Sequence, residues 1–162
     1  MRFCFLAAVT AADGVRAAAL VTDQRTRPVE FRVTEPLSIG SLQAVLYGAS
    51  LDDEMLGELC AQPLLSALRE SFDCVLVREQ GLLGLQSLLE VPVIWIGRDE
   101  SSDESAASGK VVMGYHGVRD SDALARVREV LRQVADHHDL LEPFERIDGA
   151  LAELRRELPL TR

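Results

Sequence analysis

Lysine is nearly missing from this chain: 16 of the 17 basic residues are arginine and Lys110 stands alone, against 26 acidic residues, for a net charge of -9. The deficit holds along the length, with 12 acids and 7 bases in residues 1 to 97 and 14 and 10 in residues 98 to 162. Such a chain repels phosphate backbones, because nucleic-acid affinity comes largely from Lys and Arg displacing counterions. The same sign disfavours an anionic membrane surface. Cysteine is also scarce. Cys4, Cys60 and Cys74 form no CxxC pair, which argues against a disulfide framework or a zinc knuckle and favours a reducing, cytoplasmic setting. No run of 18 apolar residues is present, so no transmembrane helix is expected.

What is present is ordinary globular composition, 48% hydrophobic and 27% charged over 162 residues, enough for one domain with a real core. The opening "MRFCFLAAVTAADG" has the flavour of a secretory signal, but a second strand-like run follows at once and a first strand is the better reading. "FCFLAAVT" is apolar on both faces, Asp13-Gly14 marks a hairpin turn, and "RAAALVT" returns. "VEFRVT" then alternates, with Val29, Phe31 and Val33 opposite Glu30, Arg32 and Thr34. Together these predict an antiparallel meander.

After Pro36, Ile39, Leu42, Val45 and Leu46 predict a helix stopped by Gly48. Ser50 or Asp52 would cap a second helical stretch, in which Pro63 starts a new turn or makes a kink. "FDCVLV", a short apolar helix in "QGLLGLQSLLE", and "VPVIWIG" predict a parallel crossover unit. The expected organisation is an α/β body over residues 1–97, a flexible acidic loop over 98–110, and a last, edge-placed strand plus C-terminal helices over 111–162, all in one domain. Leu124, Val127, Leu131, Val134, His138 and Leu141 paint one helical stripe; after Pro143, Ile147, Leu151, Leu154 and Leu158 paint another.

This order of elements is similar to that of ribonuclease H-like folds: a mixed five- to six-stranded sheet, here followed by a C-terminal helical hairpin. The resemblance implies a carboxylate in the middle of the first strand, another near the end of the fourth and others on a later helix, holding two magnesium ions. Asp73, Glu79, Asp120 and Asp122 fall near the later positions. "FCFLAAVT" has no carboxylate, so the implied nuclease chemistry lacks a metal clamp. The strings "EFRVTEP" and "LQAVLYG" also resemble segments of bacterial proteins, with no activity implied.

The stretch "VADHHDLLEPFERID" is the densest cluster of groups that titrate near neutrality. Adjacent helical residues point about 100° apart, so His137 and His138 cannot share one ion in an unbroken helix. His138 with Glu142 is the best-spaced pair, and His116 is the remaining histidine, but the position of His138 in the stripe favours a helix contact. Cys4 and Cys74 lie in apolar strands, Cys60 has no neighbouring base, and no GxSxG elbow exists. Gly109-Lys110 lacks the spacing and the following Ser or Thr of a phosphate loop. Gln43 and Tyr47 share a helical face and mark a candidate small-molecule pocket. Arg25, Arg27 and Arg32 are the nearest approach to a basic patch.

These residues predict a non-catalytic assembly or partner-binding protein without cofactors. Its candidate docking surface is Leu124, Val127, Leu131, His138, Leu141, Leu151 and Leu154, and its partner a protein or a second copy. The alternative is a divergent metal-dependent nuclease of the ribonuclease H-like type, or a small-ligand sensor at Gln43 and Tyr47.

Overall fold

A computed structural model describes residues 1–11, 14–37, 40, 53–98 and 111–157. The expected meander forms: β1 (Phe3–Ala11), β2 (Gly14–Thr22) and β3 (Pro28–Val33) are antiparallel neighbours. Ala11 faces Gly14 across the turn, and Gly14 adopts φ 126°, a left-handed conformation that a side chain would resist. An irregularity of register near Thr22 and Pro28 ends the regular pairing of β2 with β3.

The crossover follows. β4 (Cys74–Val77) lies parallel to β1, and β5 (Val93–Arg98) lies parallel to β4. β6 (Val111–Tyr115) then returns antiparallel at the edge, completing a six-stranded mixed sheet in the order β3-β2-β1-β4-β5-β6.

Apolarity on both faces of β1, β2 and β4 has its reason in the helices. One face carries Phe3, Phe5, Ala7, Ala18, Leu20, Leu76, Ile94 and Ile96, packed beneath α2 (Ser121–Ala135) and α3 (Glu142–Glu157). The other carries Cys4, Leu6, Ala17, Ala19, Val75 and Val77, packed beneath α1 (Asp53–Ala67) and a 3-10 helix over Gln80–Ser87. Alternation with period two sends successive side chains into separate cores.

Local detail departs from the sequence reading in three places. Pro63 sits inside one continuous α1 on the solvent side, where the carbonyl it leaves unbonded can reach water. The short apolar helix between β4 and β5 is 3-10 rather than α. Its buried Gln86 acts as a clamp: the side-chain amide donates to the carbonyls of Leu89 and Val91, both at 3.2 Å, and its oxygen accepts from Val93 N–H at 2.7 Å. The third departure is the end of α2.

That helix stops at Ala135 rather than running to Leu141, with the N–H groups of His137 and His138 both donating to the Val134 carbonyl. Asp139 then accepts from Leu141 N–H at 2.9 Å, and Pro143 falls in the first turn of α3. Proline has no N–H to lose there and its φ is already helical. Pro143 therefore belongs to a helix start, and the break comes before it.

Candidate functional site

The parallel strands β1, β4 and β5 point their carboxyl ends the same way. Neighbouring β1 and β4 send the chain in opposite directions, toward β2 and β3 on one side and toward β5 and β6 on the other. Ligands of open α/β sheets bind near such a reversal of strand order. Here β4 ends at Val77 beside Leu6, in the middle of β1, and Arg78 and Glu79 follow it.

Arg78 organises this end. Its Nη1 and Nη2 donate to Asp148 on α3 at 2.6 and 2.8 Å, a two-pronged pair, and its Nε donates to Glu79 at 2.8 Å. The guanidinium also lies 5.8 Å from the centroid of the Phe144 ring. Hydrogen bonding to Asp148 holds the Arg78 guanidinium further above its ordinary value, with burial opposing and Glu79 adding. Its carbonyl accepts from Trp95 Nε1 at 2.8 Å. One arginine thus stands against two carboxylates. Glu79 Oε2 is buried and has no hydrogen-bond partner among the described residues, leaving an acceptor that suits a cationic or hydroxyl-bearing group.

Trp95 itself lies over glycine. A Cβ at Gly97 would stand 2.4 Å from the indole, and one at Gly114 would stand 3.2 Å from it. Those two glycines give the ring a flat bed on β5 and β6, on the α1 face of the sheet.

The carboxylates singled out by the ribonuclease H-like resemblance do not gather. Asp73 accepts from Arg2 N–H at 2.7 Å at the amino end of β4. Glu79 sits six residues on, past the carboxyl end, about 20 Å away at strand rise. Asp120 caps α2, accepting from Asp122 and Ala123 N–H at 3.0 and 2.8 Å, and Asp122 sits in that helix's first turn. Among the described residues no group of three or more His, Cys, Asp or Glu is placed to hold a metal ion.

Nor is the helical stripe open to a partner. Leu124, Val127, Leu131 and Leu151 are buried in the core under the sheet, and Leu141 and Leu154 pack against it partly buried. His138 is exposed; because α2 ends early, Leu140 and Phe144 fill the core in its place. The candidate docking face is thus filled by the chain's own strands. Gln43 and Tyr47 lie outside the described residues.

The thiols are all free and buried. Burial pushes Cys4 and Cys74 well up, helped by the charge of Glu30 at Cys4 and by Cys4 and Asp73 at Cys74. Cys60 is also raised by burial, and its Sγ donates to the Val15 carbonyl at 3.5 Å. None has the electropositive, accessible setting of a nucleophile. Of the arginines in the supposed basic patch, Arg27 pairs with Asp23 and Arg32 with Glu30, so the local field is largely neutralised.

No family model, curated protein or solved structure matches this chain.

Arg78 escaped sequence reasoning, reading as an ordinary charge after a strand, and Glu79 was reached only through the ribonuclease H-like resemblance. The edge placement of the last strand and the half-exposed alternation of β3 were expected; which of their apolar side chains stay exposed, Val29 and Phe31 on β3 and Val112 and Tyr115 on β6, is read from the tertiary structure.

Proposed function

We propose that this chain is a non-catalytic assembly or partner-binding protein of α/β fold, docking through its sheet edges rather than through the C-terminal stripe. The observation that carries this reading is the exposure of large apolar side chains on the two strands that are outermost among the described residues, with Val29 and Phe31 on one and Val112 and Tyr115 on the other. Tyr115 is already engaged by Arg128, whose guanidinium lies 5.0 Å from its ring centroid, which leaves the β3 edge as the stronger candidate. The three buried, unpaired thiols suit a reducing, cytoplasmic setting. Light scattering over a concentration series, with affinity capture from the native cell, tests the reading. A chain that stays strictly monomeric and retains no partner removes it.

A second reading is a divergent metal-dependent nuclease of ribonuclease H-like fold, or a small-ligand sensor. The element order and the buried oxygen of Glu79, unpartnered among the described residues and just past the end of β4, favour it. The missing carboxylate on β1 counts against phosphodiester cleavage. Incubation with labelled single- and double-stranded substrate and magnesium or manganese at low salt discriminates. Cleavage abolished by Glu79→Ala would put this reading first.

A further inference from the structure

Val29, Glu30, Phe31, Arg32 and Val33 read the same, in chemical character, from either end: apolar, charged, aromatic, oppositely charged, apolar. β3 is an outermost strand. Thr34 turns its backbone toward β2, donating its N–H to the Ala17 carbonyl at 2.9 Å. By the alternation of antiparallel ladders, Phe31 and Val33 direct their N–H and carbonyl groups away from β2, to the side where no described strand lies. Phe31 itself is 36% exposed and Val29 41%.

From this we infer that β3 pairs with β3 of a second copy, antiparallel and centred on Phe31, joining two six-stranded sheets into one. The inference rests on the assembly reading above and names its surface and partner. In this register Phe31 meets Phe31 through outward backbone groups and Val33 faces Val29, the residue at which the register of β3 against β2 shifts, while Glu30 falls opposite Arg32 on both sides of the axis. Such directly opposed pairs are what stabilises and selects a strand pairing. Within one copy Arg32 Nε already donates to Glu30 at 2.6 Å, and Glu30 also accepts from Arg69 and Glu70 N–H at 2.9 Å each. A guanidinium has five donors, so Arg32 has capacity for a second carboxylate. Across the axis the four charges alternate in sign. Pro28 and the irregular register beside it limit the pairing to this segment and so discourage open-ended strand addition. β6, the other edge, offers no charged pair to choose a register.

Sedimentation velocity on the full chain is expected to show a reversible, concentration-dependent dimer, since a five-residue strand pair is a small interface. Phe31→Lys puts two ammonium groups at the centre of the pair and should raise the dissociation constant about tenfold or more, with an unchanged circular dichroism spectrum. Glu30→Arg alone and Arg32→Glu alone each set like charges opposite; mixing those two variants makes complementary strands and should restore a mixed dimer. If the Glu30 variant fails to fold because it releases Arg69 and Glu70, Phe31→Lys decides by itself. Three results overturn the inference. A dimer indifferent to Phe31→Lys leaves self-assembly standing at another surface. A monomer at every soluble concentration that still retains a protein partner leaves only partner binding. A monomer that retains none removes the functional reading as well.

Discussion

Phe144→Ala is expected to cost about 3–5 kcal/mol of folding stability, the usual range for emptying a buried phenylalanine site. Phe144 is 2% exposed and meets Phe5 edge to face, with centroids 5.4 Å apart and planes at 82°. It also lies under the Arg78 guanidinium. Phe144→Leu keeps most of the volume and loses the ring interactions, about 0.5–1.5 kcal/mol for the aromatic pair and at most about 1 kcal/mol for the cation. The gap between the two variants therefore measures the cavity. For a domain this size each kcal/mol moves the melting temperature by about 2–4 °C, so alanine should lower it by about 6–20 °C. Urea denaturation of wild type, both variants and His138→Ala checks the scale, the last being an exposed control expected within about 0.5 kcal/mol of wild type. Loss of less than about 1 kcal/mol in Phe144→Ala would refute the reasoning. It would mean that α3 is only loosely docked and that its apolar stripe is free for another chain after all.

Gln86→Met keeps the size of the clamp but strands the carbonyls of Leu89 and Val91 and the Val93 N–H; it should destabilise by about 2 kcal/mol or more in the same denaturation assay. Gly97→Ala drives a Cβ into the indole of the only tryptophan, so fluorescence should shift as Trp95 Nε1 loses its bond to the Arg78 carbonyl. Hydrogen bonding from Arg32, then from the Glu70 and Arg69 N–H groups, holds the Glu30 carboxyl below the ordinary glutamate range. Its contribution is thus present above that range and is lost as the pH falls through the lowered value, so stability of Glu30→Gln should fall less steeply with acidification than that of wild type. The three cysteines should resist a thiol reagent at neutral pH in the folded protein and react together only on unfolding, as an absorbance titration with and without denaturant will read.

Strands and helices were largely legible from periodicity, because period and burial are linked wherever one side of an element meets a core. "VEFRVT" alternates and becomes a half-exposed edge strand; "FCFLAAVT" is apolar throughout and becomes the strand covered on both faces. The end of α2 was not legible. Val134, His138 and Leu141 continue its spacing, yet the chain turns after Ala135 because Asp139 and Pro143 favour a new helix start and Leu140 with Phe144 offers the core more apolar surface than His138. The candidate site was less legible still. Arg78 and Glu79 gain their place from the pairing of β4 with β1, which sets the end of β4 beside Leu6, and Arg78 finds Asp148 seventy residues away.

The sequence by itself determined which faces must leave water: the stripe through Leu124, Val127 and Leu131 had to be covered by something. Hydrophobic burial is non-directional and carries no address, so the pattern could not say whether the cover would be a partner or the chain's own sheet. Tertiary structure decided that. It placed β1, β4 and β5 beneath α2 and α3, filling the stripe from within, and it left β3 outermost among the described strands with Phe31 partly exposed.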